Sequence, residues 1–551
     1  MPPGVAHGSQ GSDKDSNKDG SDEDASLLGT DATSIPPRLF WRLVWRILPA
    51  LWLGYVLNIV DRTNLGYATL QMADDLHLSS SAFGTASGIF FLSYAVMQVP
   101  TNHAIPRVGA TRVLALSMML WGCAAAALSL VRSERQLLAL RFALGFFESG
   151  FYPGVLFFLT RWFPDSVSGR AVALFSTAAS VGGLVGSAGS GLLMSHLDGV
   201  AGVRGWRWLF AVEGLPTIVL GIFVPLALTE HPQDASWLEP EDRRALLAAL
   251  ARDAKGGAMS AKNKHATAGN AHGADPTGSL DPSMSSTLRA TLRTATCRVC
   301  CTQYTVSSAL TNAARFFLPT LLKEVFPTMS AGYIGLIFTV PATTKVILAP
   351  IVASWADRGG RGRRFVVAWF LYGVAAMMLL ISGLGMTFWL RGAGASTTRW
   401  RAASLVAMVA TADVLSQLAI PIFWSWHNTL QTKELRGCSI AVVNSIGNLG
   451  GFVGPSMLGA AHDTFRSWIH CGPPHGAALH TRHPHAPGAS GSTSCTAQWG
   501  VGMMALGATS LLITVTTRSL AFRCRLATRS TQRQAAIGVG DHDNAIGAPA
   551  L

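Results

Sequence analysis

The stretch YVLNIVDRTNLGYA, residues 55–68, places an aspartate next to an arginine inside an otherwise apolar segment. The apolar run continues upstream and reaches the roughly 20 residues that a helix needs to cross the hydrocarbon core of a bilayer. A charged side chain at the centre of a bilayer costs on the order of 2.5–3.5 kcal/mol on insertion scales. Such charges usually face a partner or a water-filled cavity, so the stretch predicts a membrane helix that lines a polar pathway.

The rest of the chain has the composition of a membrane protein. Of its 551 residues, 49% are hydrophobic and only 13% are charged, against roughly 25% charged residues in soluble domains. Apolar runs of about 20 residues predict twelve spans. The predicted spans are 47–68, 82–103, 113–131, 137–160, 171–195, 208–229, 303–323, 332–355, 365–385, 403–425, 438–461 and 498–518. We therefore expect an all-α membrane protein with twelve transmembrane helices in two six-helix halves.

Five segments follow from this pattern of spans. They are a disordered cytoplasmic leader (1–40), an N-terminal half (41–229), a cytoplasmic linker (230–299), a C-terminal half (300–518) and a cytoplasmic tail (519–551). Two local similarities between the halves indicate duplication. SVGGLVGS at 180–187 resembles NLGGFVGP at 448–455, and PRVGATR at 106–112 resembles DRGGRGR at 357–363. Two six-helix halves with a site between them are a recurring plan of transporters.

Basic residues set the predicted orientation. Arginines are concentrated before the first span and between spans eight and nine, which places both termini in the cytoplasm. The net charge of +13 then faces anionic lipid, and no basic stripe with interleaved aromatic residues indicates nucleic-acid binding.

The leader bears on the choice of membrane. It has no apolar core, so we expect no cleavable signal peptide and expect the first span to direct insertion. Its segment 23–28, EDASLL, fits an acidic dileucine sorting signal. We predict the plasma membrane, with a vacuolar or endolysosomal membrane as the alternative.

Ionisable residues within the spans are the candidates for function. A guanidinium holds a carboxylate through two parallel hydrogen bonds, which suits arginines to gripping an organic anion. Asn58 shares a helix face with Arg62, four residues on, whereas Asp61 lies about 100° around the helix. The predicted substrate-binding residues are Arg62, Arg141, Asn58, Arg315 and Lys345.

Carboxyl groups in the spans suit a different task, because their protonation changes with burial and with neighbouring charge. Asp61 and Glu148 are therefore the predicted proton-coupling residues. Structural ion pairs, Asp61 with Arg62 and Arg141 with Glu148, are the alternative.

The two cations of the second half leave a further choice open. Arg315 and Lys345 could favour a di-acid or a larger anion. Alternatively, they pair with Glu213 or Asp413 and do not contact substrate.

The gap between spans eleven and twelve carries Cys471 and Cys495, which are predicted to lie on the outer side, where a disulfide can form. Whether they are bonded stays open. The same gap is rich in histidine but lacks a strong zinc-ligand spacing, so a flexible loop is expected and no metal or cofactor is predicted.

Several of these residues carry a resemblance to a known family. NIVDRTN in span one, RFALGFFESGFYPG at 141–154, RWFP at 161–164 and GWRWLF at 205–210 resemble the anion:cation symporter family of the major facilitator superfamily. The fungal allantoate permease branch is the most similar in style, and bacterial organic-acid and sialin-type transporters are more distant. The resemblance covers residues 40–230 strongly and 300–520 more loosely.

The resemblance implies two rocking halves and uptake of carboxylates with protons, and it assigns functional positions to Asp61, Arg62, Arg141 and Glu148. The inner-loop signature of the superfamily is kept in the second half, which implies an inner gate at Asp357, Arg358 and Arg361. In the first half the aspartate of this signature is replaced by Pro106 and its leading glycine by Asn102.

We therefore expect a monomeric, proton-coupled symporter of a small organic anion. A nutrient receptor of the same fold that binds without net transport is the alternative. An enzyme is not expected, because no acyltransferase, metallohydrolase or phosphate-binding motif is present.

Overall fold

The computed structural model describes residues 35–267, 289, 291–358, 360–389, 395–430, 433–469 and 499–519, and these are almost entirely helical. The helices of the N-terminal set are α1 (Pro37–Asp75), α2 (Ser80–Val108), α3 (Ala110–Ala127), α4 (Glu134–Glu148), α5 (Phe151–Trp162), α6 (Asp165–Leu197) and α7 (Gly205–Ala227). A linker helix, α8 (Pro240–Thr267), follows. The C-terminal set comprises α9 (Ala295–Val325), α10 (Ala331–Arg358), α11 (Gly360–Leu384), α12 (Ala395–Leu430), α13 (Lys433–Asn448), α14 (Gly450–Ile469) and α15 (Trp499–Ser519).

Ten helical segments within the described part of the chain are long and apolar enough to cross a membrane. Each coincides with one of the predicted spans, and α4 and α5 together form one of them. The other two predicted spans, 303–323 and 438–461, are also helical. The first lies in α9, which buries many polar side chains, and the second is interrupted at Leu449 between α13 and α14. The all-α membrane fold is therefore confirmed, and the count of twelve spans stays a prediction.

We call the side of the helix bundle on which α1 begins and α15 ends the inner side; it is predicted to face the cytoplasm. The opposite side is the outer side, and the two ends of each helix are named accordingly. The two sets contact each other at their outer ends. Between α6 and α10, the backbone N–H of Gly332 donates to Ser195 Oγ at 2.7 Å. Between α2 and α14, the N–H groups of Ser80 and Ser81 donate to the Asp463 carboxylate at 3.2 and 2.6 Å.

Close backbone approach makes this outer contact tight. A Cβ atom at Gly335 of α10 would lie 2.5 Å from the carbonyl oxygen of Ser187 on α6. One at Gly66 of α1 would lie 2.9 Å from the carbonyl oxygen of Arg315 on α9. Glycines let two helices pack backbone to backbone, so the outer side is closed in this conformation.

The start of the predicted linker packs on the inner face of the N-terminal set. Arg42 of α1 donates to Glu239 and to Asp242 of α8, both at 2.7 Å. The Trp162 and Trp237 rings stack with centroids 5.4 Å apart. Part of the polar stretch after span six is therefore ordered against the helices. Residues 1–34 of the predicted leader and the part of the outer gap that holds Cys471 and Cys495 lie outside the described residues. Residues 37–40, predicted to belong to the disordered leader, form the start of α1 instead.

Candidate functional site

A cavity of about 480 Å³ lies between the two sets, below the outer contact. Its walls come from α1, α6, α9, α10 and α12, with one residue each from α2 and α13. Three cations and one carboxylate line it, and tyrosine and asparagine side chains supply further polar groups. The charged lining residues are Arg62, Arg315, Lys345 and Asp413.

An ion pair joins α1 to α4 beside the cavity. Arg62 Nε donates to Glu148 Oε1 at 2.7 Å, and the Nη2 nitrogen contacts the same oxygen. The Arg62 side chain keeps 18% of its surface exposed, whereas that of Glu148 has none. The arginine therefore reaches the cavity from one side and holds a buried carboxylate on the other.

This pairing differs from both structural pairs weighed from the sequence. Asp61 faces α3 instead, where Trp121 Nε1 donates to its Oδ2 at 2.8 Å. Asp61 is buried and does not line the cavity. The reason is the 100° rotation between adjacent residues of a helix, which turns Asp61 away from the side that carries Arg62.

The structure places two further predicted residues behind the cavity wall. Arg141 is only 1% exposed, and its Nε lies 3.3 Å from the carbonyl oxygen of Ala86. Its guanidinium packs 5.0 Å from the centre of the Phe90 ring, and the Arg62 guanidinium lies 5.2 Å from that same centre. Asn58 is buried beside Glu148. Neither Arg141 nor Asn58 lines the cavity in this conformation. Their contact with substrate therefore stays a prediction.

Glu213, which the sequence analysis offered only as an alternative partner of Arg315 or Lys345, is buried in a polar cluster of the N-terminal set. Asn64 Nδ2 donates to Glu213 Oε2 at 2.8 Å, and Ser190 Oγ donates to Oε1 at 3.0 Å. No cation of the described residues lies within ion-pair distance of it. Glu213 thus links α7 to α1 and α6 and does not pair with either cation of the second half.

The cations of the C-terminal set lie in different surroundings. Lys345 Nζ on α10 donates to Asp413 Oδ2 on α12 at 3.1 Å. On α9, the Nη1 group of Arg315 donates to Asn312 Oδ1 at 3.4 Å. Of the two choices left open for Lys345, pairing with Asp413 is therefore observed, although both residues still line the cavity.

The predicted inner gate is described in part. Arg364 Nε donates to Asp357 Oδ1 at 2.6 Å, so the partner of this aspartate is an arginine that the signature did not single out. Arg358 ends α10 and is exposed. The side chain of Arg361 lies outside the described residues.

The first half, which lacks the signature aspartate, has an ionic contact at Glu230 that the sequence analysis did not predict. Gly109 has φ of 99°, and after it the N–H groups of Ala110 and Thr111 donate to the two Glu230 oxygens at 2.9 and 2.7 Å. Arg161, from RWFP, also contacts Glu230. A carboxylate at a helix N-terminus satisfies unpaired N–H groups and the helix dipole. An acidic residue soon after span six was the available signal.

We expect Glu230→Gln to lower the Tm of the purified protein at neutral pH. Burial raises the pKa of the Glu230 carboxyl, but hydrogen bonds from Thr111 and Ala110 and the charge of Arg161 outweigh burial and hold the pKa below its ordinary value. The ionised form is therefore favoured by folding, and its contribution is present above the unfolded pKa of about 4.3 and lost as the pH falls.

Thermal unfolding in detergent at pH 7 and pH 4 tests this expectation. The difference in Tm between the wild type and the variant should shrink at the lower pH. Glu241→Gln, an exposed position at the start of α8, is the control. A difference that is equal at both pH values would contradict an ionic role for Glu230.

Comparisons with known proteins agree with this architecture. Residues 51–455 match the Major Facilitator Superfamily. The chain is 31% identical to a "Putative tartrate transporter" of Agrobacterium vitis over 80% of this chain and 88% of that protein. It is 30% identical to the "Putative metabolite transport protein NicT" of Pseudomonas putida, over 80% and 91% respectively.

Solved structures show the same fold. The bacterial homolog of the human lysosomal transporter Spinster, in an inward-facing and unoccupied conformation, matches with a TM-score of 0.64 at 17% identity, covering 91% of this chain and 99% of that one. The D-xylose-proton symporter matches with a TM-score of 0.58 at 14% identity, covering 86% and 97%. The family match covers most of the chain and agrees with the resemblance drawn from the motifs: this protein is a multi-pass membrane transporter of the Major Facilitator Superfamily, not an enzyme.

Proposed function

We propose that the protein is a proton-coupled symporter that moves a small organic carboxylate across a membrane by alternating access. The ion pair between Arg62 and Glu148 carries this proposal. It joins a fixed cation that reaches the cavity to a carboxylate sealed from it.

The pair offers a way to couple the two solutes. A substrate carboxylate entering the cavity competes with Glu148 for the Arg62 guanidinium, which binds carboxylates through parallel hydrogen bonds. A buried carboxyl group that loses its cationic partner is easier to protonate. Binding of the anion and uptake of a proton by Glu148 then favour each other, as symport requires.

The conformation supports alternating access. The two helix sets touch at their outer ends through Gly332 and Ser195 and through Ser80 and Asp463, and the cavity lies on the inner side of these contacts. Transport requires these contacts to open while the inner ends close. The related protein described as a putative tartrate transporter supports an organic anion as the substrate class.

We further propose that the protein acts as a monomer in the plasma membrane, with a vacuolar or endolysosomal membrane as the alternative. Fluorescent tagging with a marker of each membrane decides the location.

Uptake into vesicles that contain the purified protein tests the function. Labelled ureides, vitamin-type carboxylates and sugar acids should accumulate when the proton gradient is directed inward, and a protonophore should abolish the accumulation. Accumulation that persists without the gradient would refute proton coupling. Saturable binding without net flux would favour the receptor alternative.

A further inference from the structure

Arg315 lines the cavity, and the proposed coupling does not use it. The other two cations of the lining each hold a carboxylate. Arg315 Nη1 donates to the side-chain oxygen of Asn312 at 3.4 Å, and among the described residues no carboxylate lies within ion-pair distance of Arg315. Because a guanidinium has five N–H donors, Arg315 keeps donors for an anion in the cavity.

The backbone of Arg315 lies at the contact that closes the outer side. A Cβ atom at Gly66 of α1 would lie 2.9 Å from the carbonyl oxygen of Arg315 and 3.2 Å from that of Phe316. Arg62 lies one helical turn nearer the inner side than Gly66, on the same face of α1. The Arg315 side chain also extends towards the inner side, because its guanidinium reaches Asn312, one turn earlier on α9. The two arginines therefore enter the cavity beneath one α1–α9 contact, one from each helix set.

Two positive charges from opposite sets thus face the same space. Of the charged side chains that act on Arg315, Asp413 attracts it and Arg62 repels it. Asp413 itself is held by Lys345 at 3.1 Å. Charges interact more strongly between low-dielectric walls than in water, so an anion between the two guanidinium groups relieves their repulsion. A carboxylate suits this position because its two oxygens offer about four lone pairs, enough to accept hydrogen bonds from both arginines.

We infer that the substrate carboxylate is shared between Arg62 of the N-terminal set and Arg315 of the C-terminal set, so that its binding draws the outer side closed. The inference rests on the proposed carboxylate transport and adds a second contact to the same carboxylate. In the proposed coupling the anion takes Arg62 from Glu148, and Arg315 binds this anion from the opposite wall.

The link to closure follows from the position of the two arginines. When the outer side opens, α1 and α9 separate at Gly66, and the two guanidinium groups move apart. An anion that contacts both arginines therefore binds the closed conformation more tightly than the open one. Such a ligand shifts the equilibrium towards the closed conformation.

Binding of matched acids and amides tests the shared carboxylate. Affinities at neutral pH are measured in detergent for gluconate, nicotinate and butyrate, each against its uncharged amide, with Arg315→Gln, Arg315→Lys and the wild type. Arg298→Gln, the same substitution at an exposed position of the same helix, is the control.

The wild type should prefer the acid of at least one pair. Arg315→Gln should weaken binding of that acid by about tenfold or more, as expected for the loss of a charge-assisted hydrogen bond, and should leave binding of the amide nearly unchanged. Arg315→Lys keeps the charge but not the parallel hydrogen bonds, so its acid affinity should lie between those of Arg315→Gln and the wild type. Arg298→Gln should bind as the wild type does.

A distance measurement tests the effect on closure. Spin labels are attached at Glu134→Cys and Thr328→Cys, exposed outer positions of the two sets, in a background without other reactive cysteines. The preferred acid should raise the fraction of molecules with the shorter distance in the wild type and in Arg298→Gln. Arg315→Gln should lose this response even at saturating acid.

The outcomes separate the two proposals. If the wild type neither binds nor takes up any of the three acids, the proposed function fails and the inference fails with it. If the wild type transports an acid but Arg315→Gln weakens acid and amide equally, or weakens neither, only the inference is overturned. A closed fraction that does not rise with acid in the wild type overturns the role in closure. Size-exclusion chromatography shows whether each variant is folded, and Arg315→Lys decides the result if Arg315→Gln is not.

Discussion

The Glu148→Gln variant should lose concentrative uptake and keep exchange. Glutamine has the shape of glutamate and still offers an oxygen to the Arg62 guanidinium, which donates to Glu148 Oε1 in the wild type at 2.7 Å. It cannot take up or release a proton. Substrate should still bind and cross the membrane, but its movement should no longer be tied to a proton.

The size of the effect follows from the gradient. One pH unit is worth about 1.4 kcal/mol for each proton, so an electroneutral symporter with one proton per anion accumulates its substrate up to about tenfold. The variant should reach an accumulation ratio of about one under the same gradient. Counterflow of labelled substrate into preloaded vesicles should continue at a rate comparable to that of the wild type.

The matched control for this variant is Glu134→Gln, which makes the same substitution at an exposed position of the same helix. It should accumulate substrate as the wild type does. Glu148→Gln vesicles that still concentrate substrate would place the coupling proton elsewhere. Loss of both accumulation and counterflow would make Glu148 a residue for binding or folding.

The sequence predicted which helices carry charge but not which charges pair. The apolar run around Asp61 and Arg62 marked α1 as a membrane helix, and helical geometry placed the two side chains on different faces. The partner of Arg62 comes from α4, 86 residues away, and only the packing of the two helices brings Glu148 within reach. Such a contact leaves no local pattern in a single sequence.

The surroundings of Arg141 also could not be predicted from the sequence. The sequence predicted that Arg141 binds substrate, with an ion pair to Glu148 as the alternative. However, α2 packs so closely against α4 at Gly145 that a Cβ there would overlap the carbonyl oxygen of Phe90. The Phe90 ring then packs against both Arg62 and Arg141. The identity of the neighbouring helix, and not the spacing within α4, decided what Arg141 contacts.

Hydropathy predicted the membrane spans best where a helix faces lipid. The span in α9 is less apolar because the helix lines the cavity with Ser308, Thr311 and Asn312. Glu230 was not predicted because it lies in a short connection between helices. Its contribution to stability depends on the N-terminus of α3, more than a hundred residues earlier in the chain. Residues that act through tertiary contacts were therefore the ones the sequence could not assign.

Gly335→Trp should abolish transport and leave the cavity open to the outer side. A Cβ at this position already lies 2.5 Å from the carbonyl oxygen of Ser187 and 3.1 Å from the Cα of Gly191. Both neighbours are backbone atoms of α6, so they cannot rotate away as a side chain can. Overpacking by even a few methylene groups costs about 1–3 kcal/mol, and an indole adds far more volume.

The steric overlap destabilises only the conformation in which the outer side is closed, because α6 and α10 must separate when the outer side opens. About 3 kcal/mol changes the ratio of closed to open molecules by more than roughly a hundredfold. Labelling of Asn312→Cys, which lines the cavity, by an impermeant thiol reagent added from outside should therefore rise sharply in the Gly335→Trp background, while uptake falls to the level of empty vesicles.

Gly373→Trp is the matched control, since none of the described atoms lies within 4 Å of a Cβ built at Gly373. It introduces the same side chain into a helix of the same set and should transport normally. If Gly335→Trp transported as well as this control, or left Asn312→Cys protected from outside, the contact between α6 and α10 would not be the outer closure. Closure of the outer side would then depend on the α2–α14 contact through Asp463 instead, and Asp463→Asn would be the variant that opens it.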